Sequence, residues 1–228
     1  MSDSNDLFSI DGYPSEKPCE VFEGELAYQL AISFGMPDIR VLLDCLREAD
    51  SDTSLKTRFN PAVGICRWDA LVGYIGRDTQ DEWRYEKING QPCIASEKNK
   101  VRIIFMSGNE FVGDGNGVLS SNYPKGIQTK KHISANEAHY NDRSQMRTWI
   151  LYYPSLKDDC YHIDGVPIKI ELAYPKSFVL FKDGEVLPSN HECRLIFEES
   201  DGGFKYKAPV NPETSFEITE EDFNFKAS

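Results

Sequence analysis

The chain predicts an α+β fold in which N-terminal helices pack on a mainly antiparallel β-sheet. Three observations carry that expectation. Apolar residues recur at helical spacing up to about residue 78. From residue 82 onward they recur at the two-residue spacing of strands. Helices first and strands afterwards, joined by short polar turns, point to α+β architecture rather than alternating βαβ units.

Taken in order, residues 1–19 form an N-terminal extension, polar and acidic, with neither the basic nor the apolar region of a secretion signal. Residues 20–198 form a single domain, helical over 20–78 and sheet-rich over 82–198. From Glu20 to Phe34, the residues Phe22, Leu26, Leu30 and Phe34 define one helical stripe. Gly35 ends that helix, because glycine takes positive φ at little cost. Pro37 opens a second helix. Its residues Ile39, Leu42, Leu43 and Leu46 repeat at the i, i+3, i+4, i+7 spacing. Residues 50–60 are polar and read as a loop. Asn60-Pro61 is a start signal for a third helix with Ile65, Trp68, Val72 and Ile75 on one face.

The strands follow. Trp83 to Ile88, Asn89-Gly90 and Gln91 to Ala95 read as a hairpin, since Asn-Gly supplies the positive φ values of a tight turn. Val101–Met106 is a short apolar strand. A helix is expected around Ile127 to His139. Arg147–Tyr153 is rich in β-formers. Val166–Tyr174 alternates, with Ile168, Ile170, Leu172 and Tyr174 inward and Lys169 and Glu171 on the wet face. Phe178–Phe181, the turn Lys182-Asp183-Gly184 and Cys193–Phe197 complete the set. Residues 199–228 form an acidic, Gly- and Pro-containing tail.

Composition narrows the function. The chain has 228 residues, 40% hydrophobic and 12% aromatic, which suits a packed domain rather than a disordered one. No stretch approaches the length of a membrane helix, so a cytoplasmic protein without membrane contact is expected. Six cysteines, at 19, 45, 66, 93, 160 and 193, are widely spread and form no Cys-x-x-Cys pair, so buried free thiols are expected. The formal net charge is -12, concentrated at the two ends. That disfavours nucleic-acid binding for the whole chain and suits solubility or a basic partner.

Four constellations bear on chemistry. After the strand Val101–Met106, the glycine-rich run Ser107 to Gly117 includes Ser107, Asn109, Gly113 and Gly115. Such a loop can aim backbone N–H groups at a phosphate. Lys125, Thr129, Lys130, Lys131, Arg143 and Arg147 follow, and this locally basic stretch makes an anionic ligand plausible. The spacing is not Gly-x-Gly-x-x-Gly, and Asp114 stands where a phosphate loop wants lysine. The bland alternative is a surface loop. Second, Cys160-Tyr161-His162 and His191-Glu192-Cys193 each place a thiol and an imidazole two apart, on one side of a strand. Two such pairs on neighbouring strands would offer zinc four ligands, although knuckle spacing is absent. Third, His132, Asn136 and His139 share a helix face; a polar surface is the plainer reading. Fourth, Lys169 and Glu171 project from one strand. Their order is the reverse of the Glu-x-Lys of restriction-type nucleases, which counts against that assignment. There is no Gly-x-Ser-x-Gly, no His-Glu-x-x-His and no Walker lysine.

Ser107-Gly108-Asn109, Pro124-Lys125-Gly126 with Thr129, Thr148-Trp149-Ile150-Leu151-Tyr152-Tyr153 and Glu171-Leu172-Ala173-Tyr174-Pro175 follow one another in the middle of the chain. This pattern resembles a group of bacterial proteins of similar size, in which the third residue of the first motif is an acid. The resemblance covers about a third of the chain. It implies a bacterial origin and a unit spanning about 101–175, and it implies no activity. The function expected is that of a protein-binding accessory component of a mobile-element, phage or defence-type system. One alternative is an enzyme acting on a phosphate-containing ligand or nucleic acid, with Lys125 and Glu171 as catalytic candidates. The ligand would be held by Ser107, Asn109, Gly113, Gly115, Thr129 and Arg143. The other alternative is an acidic mimic of DNA.

Overall fold

The computed structural model describes residues 19–56, 63–79, 82–138, 142, 144–155, 167–181 and 183–199. The N-terminal extension up to residue 18, Asn60-Pro61, His139, Arg143, Cys160, His162, Lys182 and the tail from residue 200 lie outside them. The elements are β1 (Glu20–Glu23), α1 (Gly24–Ser33), α2 (Ile39–Lys56), α3 (Val63–Asp78), β2 (Arg84–Ile88), β3 (Gln91–Ser96), β4 (Val101–Ser107), α4 (Ile127–Ala138), β5 (Arg147–Tyr153), β6 (Lys169–Leu180) and β7 (Val186–Glu198).

The fold is α+β. The seven strands form one mixed sheet in the order β1-β7-β6-β5-β4-β3-β2. Four neighbouring pairs are antiparallel, while β1 with β7 and β4 with β5 are parallel. A parallel pair needs a crossover. The connection carrying the glycine-rich loop and α4 supplies it between β4 and β5.

Local chemistry accounts for most boundaries. Asn89 and Gly90 take φ of 47° and 89°, as the β2–β3 turn requires. Gly35 ends α1 with φ of 70°, and Asn99 donates to its carbonyl at 2.9 Å. Asp38 accepts from the Arg40 N–H at 2.9 Å and so caps α2.

Several expectations need correction. Residues 20–23 are a strand, not the start of a helix. Extended pairing with Cys193 to Ile196 claims Glu20–Glu23, and Gly24, at φ of 60°, turns the chain into α1. Leu26 is therefore exposed, and Ala27, Tyr28, Leu30 and Ala31 are the buried face. The helix α2 continues through Lys56, where a loop was expected from residue 50. In α3, Ile65 is exposed and Arg67, Leu71, Val72 and Ile75 are buried. The strands expected at 166–174 and 178–181 are one strand, β6. Register shifts between Tyr174 and Phe178 accommodate Pro175, which cannot donate to a regular ladder.

The central strands are buried on both sides, so their apolar residues divide by parity. Ile103, Phe105, Trp149, Leu151, Ile170, Leu172, Leu195 and Phe197 share one buried cluster with residues of α1, α2 and α3. There Tyr28 meets Phe197 edge-on at 5.0 Å, and Phe34 lies 5.2 Å from Trp149. The residues of opposite parity, Ile104, Met106, Ile150, Tyr152 and Ala173, cluster with Cys93, Leu119 and Val112. This second face carries the Glu171–Arg194 pair, while a further buried guanidinium, Arg67, lies on the helix side with Asp50 and the Tyr153 ring.

Candidate functional site

Glu171 lies on the second face of β6 and is fully buried, not on a wet face as its alternation with Ile170 and Leu172 suggested. The reason is that both sides of the sheet are covered, so the polar parity also faces protein. Its carboxylate is paired with Arg194 of β7, which donates through Nε to Oε1 and through Nη2 to Oε2, the latter at 3.1 Å. Arg194 goes on to donate to the carbonyls of Gly117 at 2.7 Å and Asp114 at 3.0 Å. The Gly113 N–H donates to Glu171 Oε2 at 3.1 Å. A buried ion pair thus clasps the glycine-rich loop onto the sheet. Burial pushes the Glu171 carboxyl above its usual range, and Arg194 and the Gly113 N–H pull against that.

The clasp explains the glycines. Gly113 takes φ of 78°, and a Cβ there would sit 2.5 Å from Lys169 Cδ. At Gly117 it would sit 2.2 Å from the Phe111 ring, and at Gly115 it would sit 3.0 Å from Glu23 Oε1. The loop's N–H groups are largely committed internally: Val112 to Asn109, Asp114 to Phe111 and Gly117 to Asp114. Asn109 is part of this scaffold, since its side chain donates to the Val118 carbonyl at 2.9 Å and accepts from Ser120 N. Ser107 Oγ accepts from Asn122 at 3.1 Å.

The other residues of the expected anion site go elsewhere. Lys125 exchanges two backbone hydrogen bonds with Val186, beside the turn of the β6–β7 hairpin, whereas the loop is held at that hairpin's other end. Burial lowers the Lys125 pKa, and Glu185 opposes it. Thr129 is buried in α4 against Gln91, whose Nε2 donates to its hydroxyl at 3.2 Å.

The two described members of the zinc quartet also part. Tyr174 pairs with Cys193 and Pro175 with His191, so β7 holds one extra residue, Glu192, between the two pairs. That bulge reverses the side-chain parity. Cys193 joins the cluster with the helices, while His191 lies 3.2 Å from the Tyr152 hydroxyl on the second face. Burial, then the charge of Arg194, lowers the His191 pKa to about 3, so it stays neutral beside Tyr152. Among the described residues no group of three or more His, Cys, Asp or Glu is arranged to hold a metal ion. The five described cysteines are free; Cys45, Cys93 and Cys193 are buried, but Cys66 is exposed.

On α4, His132 and Asn136 are buried, not a polar surface. Asn136 donates to the Thr148 carbonyl at 2.7 Å and accepts from the Thr148 N–H at 2.8 Å. Its side chain replaces a strand partner where the β5–β6 ladder, which runs from Ile150 to Tyr152 on β5, has ended. Arg102, Arg194 and Tyr152 went unread as site residues. The signal was present: Arg102 and Arg194 each interrupt a strand apolar at both parities, which places a guanidinium inside.

A second feature is on the outside. At the tip of the β6–β7 hairpin, Val179, Leu180 and Phe181 are 50%, 54% and 40% exposed. Nearby in the chain segment that bridges to Val186, Tyr123 and Ile127 are exposed at 54% and 66%.

No family model, curated protein or solved structure matches this chain.

Proposed function

We propose that this protein is a binding module that engages a partner protein through the apolar tip of its β6–β7 hairpin. The observation that supports this reading is the run Val179-Leu180-Phe181, three consecutive apolar side chains left in water. Single exposed apolar residues are ordinary, but here they alternate across the hairpin so that both faces of its tip present apolar side chains, which supports an interaction surface. Lys125, Tyr123 and Ile127 extend it, since the Lys125 segment bridges to Val186 beside the tip. On this reading the three N-terminal helices are the layer that stiffens the first face of the sheet. The clasped loop and α4 brace the second. The reading includes a cytoplasmic bacterial accessory component; among the described residues, no helix is long and apolar enough to cross a membrane.

The alternatives draw less support. A phosphate site at the glycine-rich loop would have to compete with Glu171, which already accepts from the loop. A DNA mimic displays unpaired carboxylates, yet Asp38, Glu48, Asp50, Asp78, Glu82, Glu97 and Glu171 each face a base within the fold.

The test is affinity capture from the source organism with wild type and with Leu180→Asp/Phe181→Ser. A partner enriched by the wild type and lost by the variant, with an unchanged melting temperature, is the expected result. Equal enrichment by both proteins would reject the hairpin tip as the contact.

A further inference from the structure

We propose that Arg102 of β4, with His132 and Gln128 of α4, forms a binding site for a small oxyanion, a phosphate or carboxylate group, on the second face of the sheet. This goes beyond the hairpin-tip reading and is independent of it.

Arginine is always charged and carries five donors, so a half-buried guanidinium ordinarily has a carboxylate beside it. Among the described residues, six other arginines follow that rule. Arg40, Arg47, Arg67, Arg77, Arg84 and Arg194 each pair with an Asp or Glu. Arg147 donates to the Asn99 carbonyl. Arg147 thus faces a carbonyl where the others face a carboxylate, and Arg102 departs further. Among the described residues no carboxylate lies within ion-pair distance of it, and its Nε is buried without a hydrogen-bond acceptor. Its side-chain contact is with the Cys93 thiol, a weak acceptor. Glu86, across the β2–β3 pair, is already engaged with Arg84 at 3.2 Å. A guanidinium with no carboxylate beside it, in a chain of net charge -12, can take its counter-charge from an anion outside the chain.

The topology brings further donors to the same place. Arg102 is the strand partner of Thr148, and Thr148 is held by Asn136. His132 lies one turn earlier on the same buried face of α4. Gln128 accepts from Asn89 at 2.8 Å through Oε1, and its Nε2 lies 3.2 Å from His132 Nε2. That chain makes His132 Nε2 the acceptor and leaves Nδ1 to carry the proton. Burial, then the Arg102 charge, lowers the His132 pKa to about 4, so an anion meets a neutral donor beside a cation. Arg102, Gln91 and Gln128 are only half-buried, which gives a small ligand a way in.

Inorganic phosphate is titrated into the full-length protein at fixed ionic strength, with acetate as a parallel arm and chloride as the control. Binding is followed by calorimetry and by the NMR signal of Arg102 Nε–H. The expected result is saturable binding with a downfield shift of that signal. Arg102→Gln should weaken it about tenfold, and Arg102→Lys should restore only part of the loss. Phosphate binding without acetate binding assigns a phosphate-bearing ligand, and the reverse assigns a carboxylate. The proposal is overturned if chloride moves the Nε–H signal equally, or if Arg102→Gln binds phosphate as tightly as wild type. Should Arg102→Gln fail to fold, the wild-type Nε–H titration decides alone. The hairpin variant Leu180→Asp/Phe181→Ser should bind phosphate normally, which separates this site from the protein-binding surface.

Discussion

At the residue scale the molecule depends on a few buried polar groups, and they set its sensitivity to substitution and acid. Glu171→Gln leaves Arg194 buried against a neutral amide and loosens Gly113. Removing one partner of a buried pair costs about 3–5 kcal/mol. A urea midpoint that falls by that order, with a more protease-sensitive loop, is the expected outcome, and an unchanged midpoint would contradict the clasp. The histidines give a pH prediction. His132 and His191 have folded pKa values lowered, by burial first, to about 4 and about 3. In the unfolded chain they titrate near the ordinary value of about 6.5. A depressed base leaves the native state neutral while the unfolded state binds protons, so stability is full above about pH 6.5 and is lost as pH falls toward 4 and 3. Shifts of that size correspond to roughly 3 kcal/mol for His132 and roughly 5 kcal/mol for His191. His191→Gln should flatten the stability profile between pH 6 and 3, measured by urea unfolding at each pH.

At the element scale, α4 is positioned by Asn136 as much as by apolar packing, because Ile133 is its one buried aliphatic side chain. Asn136→Ala strands the Thr148 N–H and carbonyl, at a cost of about 1–3 kcal/mol. Asn136→Asp sets a buried carboxylate oxygen against the Thr148 and Pro175 carbonyls, so it should be at least as destabilising as Asn136→Ala in thermal denaturation. The elements also show what a sequence can reveal. Asn89-Gly90, Gly35 and the β-formers of Arg147–Tyr153 act locally, and each element they announce is present. Glu20–Glu23 was illegible because its strand state depends on pairing with residues more than 170 positions away. Glu171 misled because a polar residue between apolar ones ordinarily marks a wet face, and its buried partner Arg194 sits on a different strand. The division of His191 from Cys193 depends on a bulge at Glu192, which only the register with β6 reveals. The cluster of Arg102 with His132 needs the β4–β5 crossover, a long-range property of the same kind.

At the scale of the whole molecule, the sheet order makes a prediction about cooperativity. β4, β5 and the first half of β6 lie at the centre of the sheet and are buried at both parities. β1 and β2 are the edges; β1 has four residues, and β2 is largely exposed. Burial on both faces ties opening of the central strands to loss of both clusters at once, whereas an edge strand can fray alone. Native-state hydrogen exchange should therefore find the amides of Ile104, Phe105, Ile150, Leu151 and Leu172 opening with the free energy of global unfolding. Those of Tyr85 and Lys87 should exchange by local fluctuation. The loop should be intermediate, because the Gly113 N–H is held by a buried carboxylate rather than by a ladder. In Glu171→Gln the Gly113 amide should drop toward the local class while Leu151 stays global. If Gly113 and Leu151 lost protection together, the loop and the sheet would be one cooperative unit and the clasp would not be a separable device.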